Sequence, residues 1–190
     1  MTNNKNSGPA LPHLQPDIRL IGSIDEKLVL GFLEQSARLQ GDGPVVIELT
    51  SIGGEADTAR RLAQDIRMLA RQREVFVLGQ SYVYSAGVTA LAAVPAHRRF
   101  LTPDTVLLIH ERRMDRTVQL CGALRSGLAV LHDLLAELEI GRKLERQGFD
   151  ELAAGSSLTG LQLQERVQEK DWYLMATEAV ELGLVAGLAR

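Results

Sequence analysis

The sequence predicts an α/β fold, on three observations. Short apolar runs rich in Val, Ile and Leu recur at residues 45–49, 75–78 and 106–109. The first two each pass through a turn-like segment into a stretch whose apolar residues repeat at helical spacing. Strand and helix patterns that alternate in this way are those of strand-turn-helix units laid against one sheet.

Totals set the outer limits. A chain of 190 residues that is 45% apolar and 24% charged has the composition of one ordinary globular domain. A net charge of −3, with no basic block, excludes a phosphate-backbone footprint, so nucleic acid is not an expected partner. No run approaches the roughly 18 uninterrupted apolar residues of a membrane span. The single cysteine, Cys121, cannot form an intrachain disulfide, and residues 1–17 lack the apolar run of a signal peptide. A reducing, cytoplasmic setting is expected.

Residues 1–17, rich in Asn, Pro, Ser and Gly, read as a flexible N-terminal arm, and residues 18–190 as one domain. A strand is predicted at 18–21. Ser23 followed by Glu26 reads as a capping box opening a helix to about residue 39, with Leu30, Leu33 and Ala37 inward. Residues 45–49 form a buried strand, Gly53-Gly54 a turn, and 56–71 a helix with Leu62, Ile66 and Leu69 inward. A second unit follows: strand 75–78, a turn from Gln80 to Tyr84, and an apolar helix from Ser85 to about Val94.

Beyond 98–101, the Pro103-Asp104 turn leads into a strand at 106–109 that delivers His110 to its end. Residues 117–147 read as a long helix with Cys121, Leu124, Leu128, Leu131, Leu135 and Leu138 at heptad-like steps. A seam of that length exceeds what one small domain can cover, so oligomerisation is expected. A helix at 159–170, a strand near 172–174 and a last helix at 177–182, stopped by Gly183, complete the chain.

Ser85 falls between a tight loop and a helix, where free N–H groups favour an oxyanion, yet that is equally the place of an N-cap serine. His110 reads as a candidate base or a satisfied core histidine. Asp171, Asp115, Asp133 and Asp150 compete as its partner. Other chemistries fail on spacing. His110-Glu111 opens like a zinc-protease motif, but Met114 occupies the second histidine's position. Val83 stands where a Gly-x-Ser-x-Gly elbow needs glycine, and no phosphate-binding loop is present. No metal or organic cofactor is expected.

Read together, Ser51-Ile52-Gly53-Gly54, Ser85-Ala86-Gly87, the run from Val106 to His110 and the run from Ala176 to Val185 resemble the proteolytic subunits of Clp proteases. The resemblance spans about residues 18–188. It implies a ClpP/crotonase-like fold of repeated β-β-α units with a protruding handle helix. It implies a Ser85, His110 and Asp171 triad, Asp171 being selected because the family's acid lies five residues before the alanine that opens the last motif. The backbone N–H groups of Gly54 and Ala86 would form the oxyanion hole.

The function so implied is a serine endopeptidase that hydrolyses peptides or unfolded proteins inside a homo-oligomeric chamber of stacked rings. A Clp-type AAA+ ATPase would be its partner, although the arm carries no apolar pore loop. The alternatives are a catalytically inactive subunit of the same fold and a crotonase-like acyl-thioester enzyme. The chain departs from the family at Ile52, at Tyr84 and at Glu111-Arg112-Arg113-Met114. Arg112 and Arg113 are expected to form ion pairs between subunits.

Overall fold

The computed structural model of the chain describes residues 10–189, so the first nine residues of the expected arm lie outside the described part. Among the described residues, seven strands form one sheet. β1 (Ile18–Ile24), β2 (Val45–Gly54), β3 (Val75–Tyr84), β4 (Arg99–Leu101) and β7 (Gly187–Leu188) run parallel in the order β1-β2-β3-β4-β7. β5 (Val106–Ile109) also pairs in parallel with β3, and β6 (Trp172–Met175) pairs antiparallel with β5.

β3 therefore serves two neighbours. Its Val77–Gly79 half pairs with β4 and its Tyr82–Tyr84 half with β5. Ser81 takes a positive φ of 58° between the halves. The Gly79 carbonyl accepts from the Thr102 N–H at 2.9 Å and from the Thr105 hydroxyl at 3.1 Å, which tucks the β4–β5 turn against the strand.

The α-helices among the described residues are α1 (Glu26–Ala37), α2 (Ala56–Ala70), α3 (Ala86–Leu91), α4 (Leu124–Ala153), α5 (Gly160–Val167) and α6 (Ala176–Glu181). Val45, Ile47 and Val77 pack into one core with Phe32, Leu62, Leu91, Leu152 and Leu163 from the helices. Val46, Phe76, Leu78 and Phe100 form a smaller cluster, as period-two alternation requires of neighbouring strand residues. Leu11 packs on that smaller cluster, and Asp17 exchanges hydrogen bonds with Val46, so the described end of the expected arm makes specific contacts.

Several expectations shift. Ser23 does not cap α1. It lies in β1 and donates to the Gly53 carbonyl, and Asp25 is the cap, accepting from the Leu28 N–H at 2.9 Å. The helix thus starts two residues late and buries Val29 and Phe32, leaving Leu30 and Leu33 exposed. Gly53-Gly54 is not a turn but the end of β2, paired with Ser23 and Ile24. Gln80 to Tyr84 is likewise strand. The cause is common to both: parallel pairing with a neighbour extends segments whose local composition favours a turn.

The long helix begins at Leu124 and ends at Ala153, in place of 117–147. Residues 111–121 lack regular structure and Gly122 has a φ of 90°, which leaves Cys121 off the helix and exposed. Only its last turn is buried, through Phe149, Leu152 and Ala153. Toward its start the seam faces solvent, and Leu124 is 90% exposed.

Arg99 closes the frame. Its guanidinium is buried and donates to the carbonyls of Val94 (2.8 Å), Leu152 (2.8 Å), Glu151 (3.0 Å) and Leu184 (3.2 Å). Two of these belong to the last turn of α4, whose carbonyls have no partner within the helix. Burial lowers the Arg99 pKa to about 10, with Glu151 opposing the shift, so the group stays charged at neutral pH. Arg99→Met leaves these carbonyls without their donor, and should lower unfolding free energy by about 3 kcal/mol or more in urea titrations.

Candidate active site

The β3–β5–β6 pairing brings the candidate side chains to one end of the sheet. Ser85 follows the last residue of β3 and is the N-cap of α3, with φ 54° and ψ −119°. A non-glycine residue there is strained, at a cost of order 1–3 kcal/mol, and persists only where its surroundings hold it. Here the Ser85 N–H donates to the Leu108 carbonyl at 2.8 Å, and the Val88 N–H donates to the Ser85 carbonyl at 2.9 Å. Ser85 is an N-cap by position but makes no side-chain capping bond, so its hydroxyl is not committed to α3.

Glycines make room for this elbow. A Cβ on Gly53, whose φ is 97°, would stand 2.8 Å from the Ser85 Cβ. On Gly54, with φ 151°, it would meet the Ile24 carbonyl oxygen at 2.3 Å. Gly87 lies against buried Ser51, whose hydroxyl accepts from the Gly53 N–H at 3.1 Å. The Ser51-Ile52-Gly53-Gly54 and Ser85-Ala86-Gly87 segments thus touch directly.

His110 leaves the end of β5. Ser85, His110, Gly54 and Ala86 all line one cavity of about 490 Å³, whose far wall carries Leu144 and Phe149 of α4. The Nδ1 atom of His110 bonds the Glu111 carbonyl. A carbonyl only accepts, so the proton of the neutral ring sits on Nδ1 and Nε2 keeps its lone pair, the tautomer a general base requires.

Asp171 does not line the cavity. It immediately precedes β6, and the β5–β6 ladder ends with Ile109 paired to Trp172, so His110 and Asp171 are the residues just beyond its last pair. Its carboxylate accepts from the Arg113 guanidinium. Four of the five expected residues thus line one cavity, and the fifth pairs with Arg113, which lines it too. The rival aspartates stand elsewhere: Asp133 and Asp150 are on α4, and Asp150 packs against Gly160.

The segment after His110 is held by charge. Arg112 donates to Asp57 of α2 at 2.8 Å, and its backbone N–H donates to Glu145 of α4. The hydrogen bond from Arg112 holds the Asp57 carboxyl below the ordinary carboxylate range, against the opposing effect of burial. Sequence reading expected Arg112 and Arg113 to pair between subunits, yet both have acidic partners in their own chain. Those partners are 55 and 58 residues away, beyond any local signal.

Comparison with known proteins gives concordant results. A family model described as Clp protease matches residues 15–190. The chain is 28% identical over 177 residues to ATP-dependent Clp protease proteolytic subunit 2 of Treponema pallidum, covering 90% of this chain and 80% of the relative. It is 29% identical over 169 residues to the protein of the same name from Pseudomonas aeruginosa, covering 86% and 76%. A mutant of ClpP1 from Listeria monocytogenes superposes with a TM-score of 0.75 at 20% identity, covering 91% of this chain and 90% of that one, which establishes the shared fold.

Contact between Gly53 and the elbow is testable. Gly53→Ala combines an unfavourable φ with a clash on Ser85, and should cost at least about 1 kcal/mol, or roughly 2–4 °C in melting temperature. A melting curve unchanged by the substitution would show that the elbow does not depend on this glycine.

Proposed function

The chain belongs to the Clp protease family, and on that premise we propose that it is a serine endopeptidase acting through Ser85, His110 and Asp171. The observation that carries this reading is that Ser85 and His110 share one cavity, with His110 in the tautomer that leaves Nε2 basic.

The Ser85 Oγ attacks the peptide carbonyl carbon while its proton passes to His110 Nε2. The carbonyl electrons move onto oxygen, where the N–H groups of Gly54 and Ala86 stabilise the charge. Collapse of the intermediate expels the amine, which takes the proton from His110 and leaves an acyl-enzyme on Ser85. Water, deprotonated by His110, then repeats the sequence and releases the acid. Asp171 neutralises the imidazolium at both stages. Every proton is exchanged between side chain, substrate and water, so the cycle calls for no metal or organic cofactor.

Substrates would be peptides or unfolded segments, because an extended backbone is what can thread a cavity walled by α2, α3 and α4. The exposed leucines of α4 suit burial against further copies in stacked rings, which would enclose the site in a chamber. A Clp-type AAA+ ATPase is the partner that the relatives' names suggest, and cytoplasm is the compartment that fits the lone exposed Cys121. Among the described residues no helix is long and apolar enough to cross a membrane.

One observation favours the inactive-subunit reading: the Asp171 carboxylate is on Arg113, not on His110. Hydrolysis of a fluorogenic peptide by the purified oligomer separates the two. Ser85→Ala should reduce kcat by a factor of at least about 10³ with the oligomer intact. Equal cleavage by the variant would refute the assignment, and no cleavage by the unaltered protein would favour the inactive subunit.

A further inference from the structure

Glu111, Arg112 and Arg113 form a thin partition. Together with Glu145 they line the Ser85 cavity on one side, and on the other a second cavity of about 600 Å³ bordered by Met114, Leu138 and Leu161. The partition is tied at each residue and to three different elements. The Glu111 carboxylate accepts from the Glu169 N–H at 2.9 Å, beyond α5. Arg112 is tied to Asp57 on α2 and to Glu145 on α4, and Arg113 to Asp171 ahead of β6.

These ties also occupy the groups that catalysis needs. The Glu111 carbonyl holds His110 Nδ1, and Arg113 holds the carboxylate of Asp171, which, like His110, stands one residue beyond the last pair of the β5–β6 ladder. A carbonyl can fix the tautomer, but it carries no charge with which to neutralise an imidazolium. The tied conformation therefore leaves His110 oriented but without a carboxylate to balance the charge it gains on taking a proton.

We propose that Glu111–Arg113 is an autoinhibitory strap, in which Arg113 withholds Asp171 from His110 until an occupant of either cavity displaces the segment. The inference rests on the peptidase reading above. Its energetics suit a reversible device. Arg113 and Asp171 are 69% and 33% exposed in their side chains, and pairs so open to water are worth little, so displacement by a bound peptide is readily achieved. Release would pass Asp171 from one cation to another, from the guanidinium to the imidazolium.

The test measures the rate at which a fluorophosphonate labels Ser85 in the full chain, alongside NMR titration of the His110 ring. Arg113→Gln frees Asp171 and should raise the labelling rate about two- to fivefold, in proportion to the released fraction. It should also move the His110 titration to higher pH, because a carboxylate now faces the ring. Arg116→Gln, which breaks the neighbouring ion pair to Glu137 on the same segment, should change neither. A labelled parent protein with an unchanged or slower Arg113→Gln, or an unmoved His110 titration, overturns the strap alone. Absence of labelling in all three proteins overturns the peptidase reading and the strap with it.

Discussion

The geometry of the site depends on one strand having two partners. β3 cannot pair with β4 and β5 side by side, so it pairs with them in succession, and Gly79 is the pivot. A Cβ there would stand 2.6 Å from Leu101 and 3.0 Å from Val83, which leaves glycine as the residue that lets β4 approach so closely. The second half of β3 then aligns with β5, the elbow at Ser85 is fastened to Leu108, and His110 emerges two residues further along the same strand. β6 pairs with β5 and leaves Asp171 one residue beyond the last pair. Residues far apart in sequence meet because three consecutive strand pairings are in register.

Such a site stores strain, and the frame around it has to be stiff enough to hold it. Ser85 sits in a backbone region that favours glycine, with its neighbours packed against Gly53 and Ser51. Arg99 supplies part of that frame, binding the chain after α3 to the end of α4 and to Leu184. Arg67 reaches the Glu151 side chain at 2.6 Å from the same quarter. A charge buried among carbonyls gives direction as well as energy, since only one placement of the three segments satisfies its donors. The last turn of α4 is fixed in this way, and the exposed length of the helix projects from a rigid base.

Much of this was legible in the sequence. Apolar β-branched runs marked β2, β3 and β5, and a helix was expected where α5 stands. Four separated motifs pointed to Ser85, His110, Asp171, Gly54 and Ala86. The misreadings share one origin. Gly53-Gly54 and Gln80 to Tyr84 have turn-like composition, and became strand because neighbouring strands paired with them. Ser23 looked like a cap for the same reason: its backbone was already claimed by β1. The partners of buried or paired charges were not legible. Nothing local marks Arg99 as an arginine that will be buried among carbonyls. The partners of Arg112 and Arg113 were equally hidden, because an ion pair between distant segments leaves no periodic trace.

The central claim is that Ser85 and His110 act on one substrate carbonyl from the two sides of one cavity. A peptidyl chloromethyl ketone tests this directly, since its carbonyl is attacked by the serine while its methylene alkylates the base, with loss of chloride. Peptide mapping of the treated protein should find the alkyl group on His110, and Ser85→Ala should abolish that modification. Alkylation spread over His13, His97 and His132, or His110 modified equally in the Ser85→Ala protein, would contradict the account.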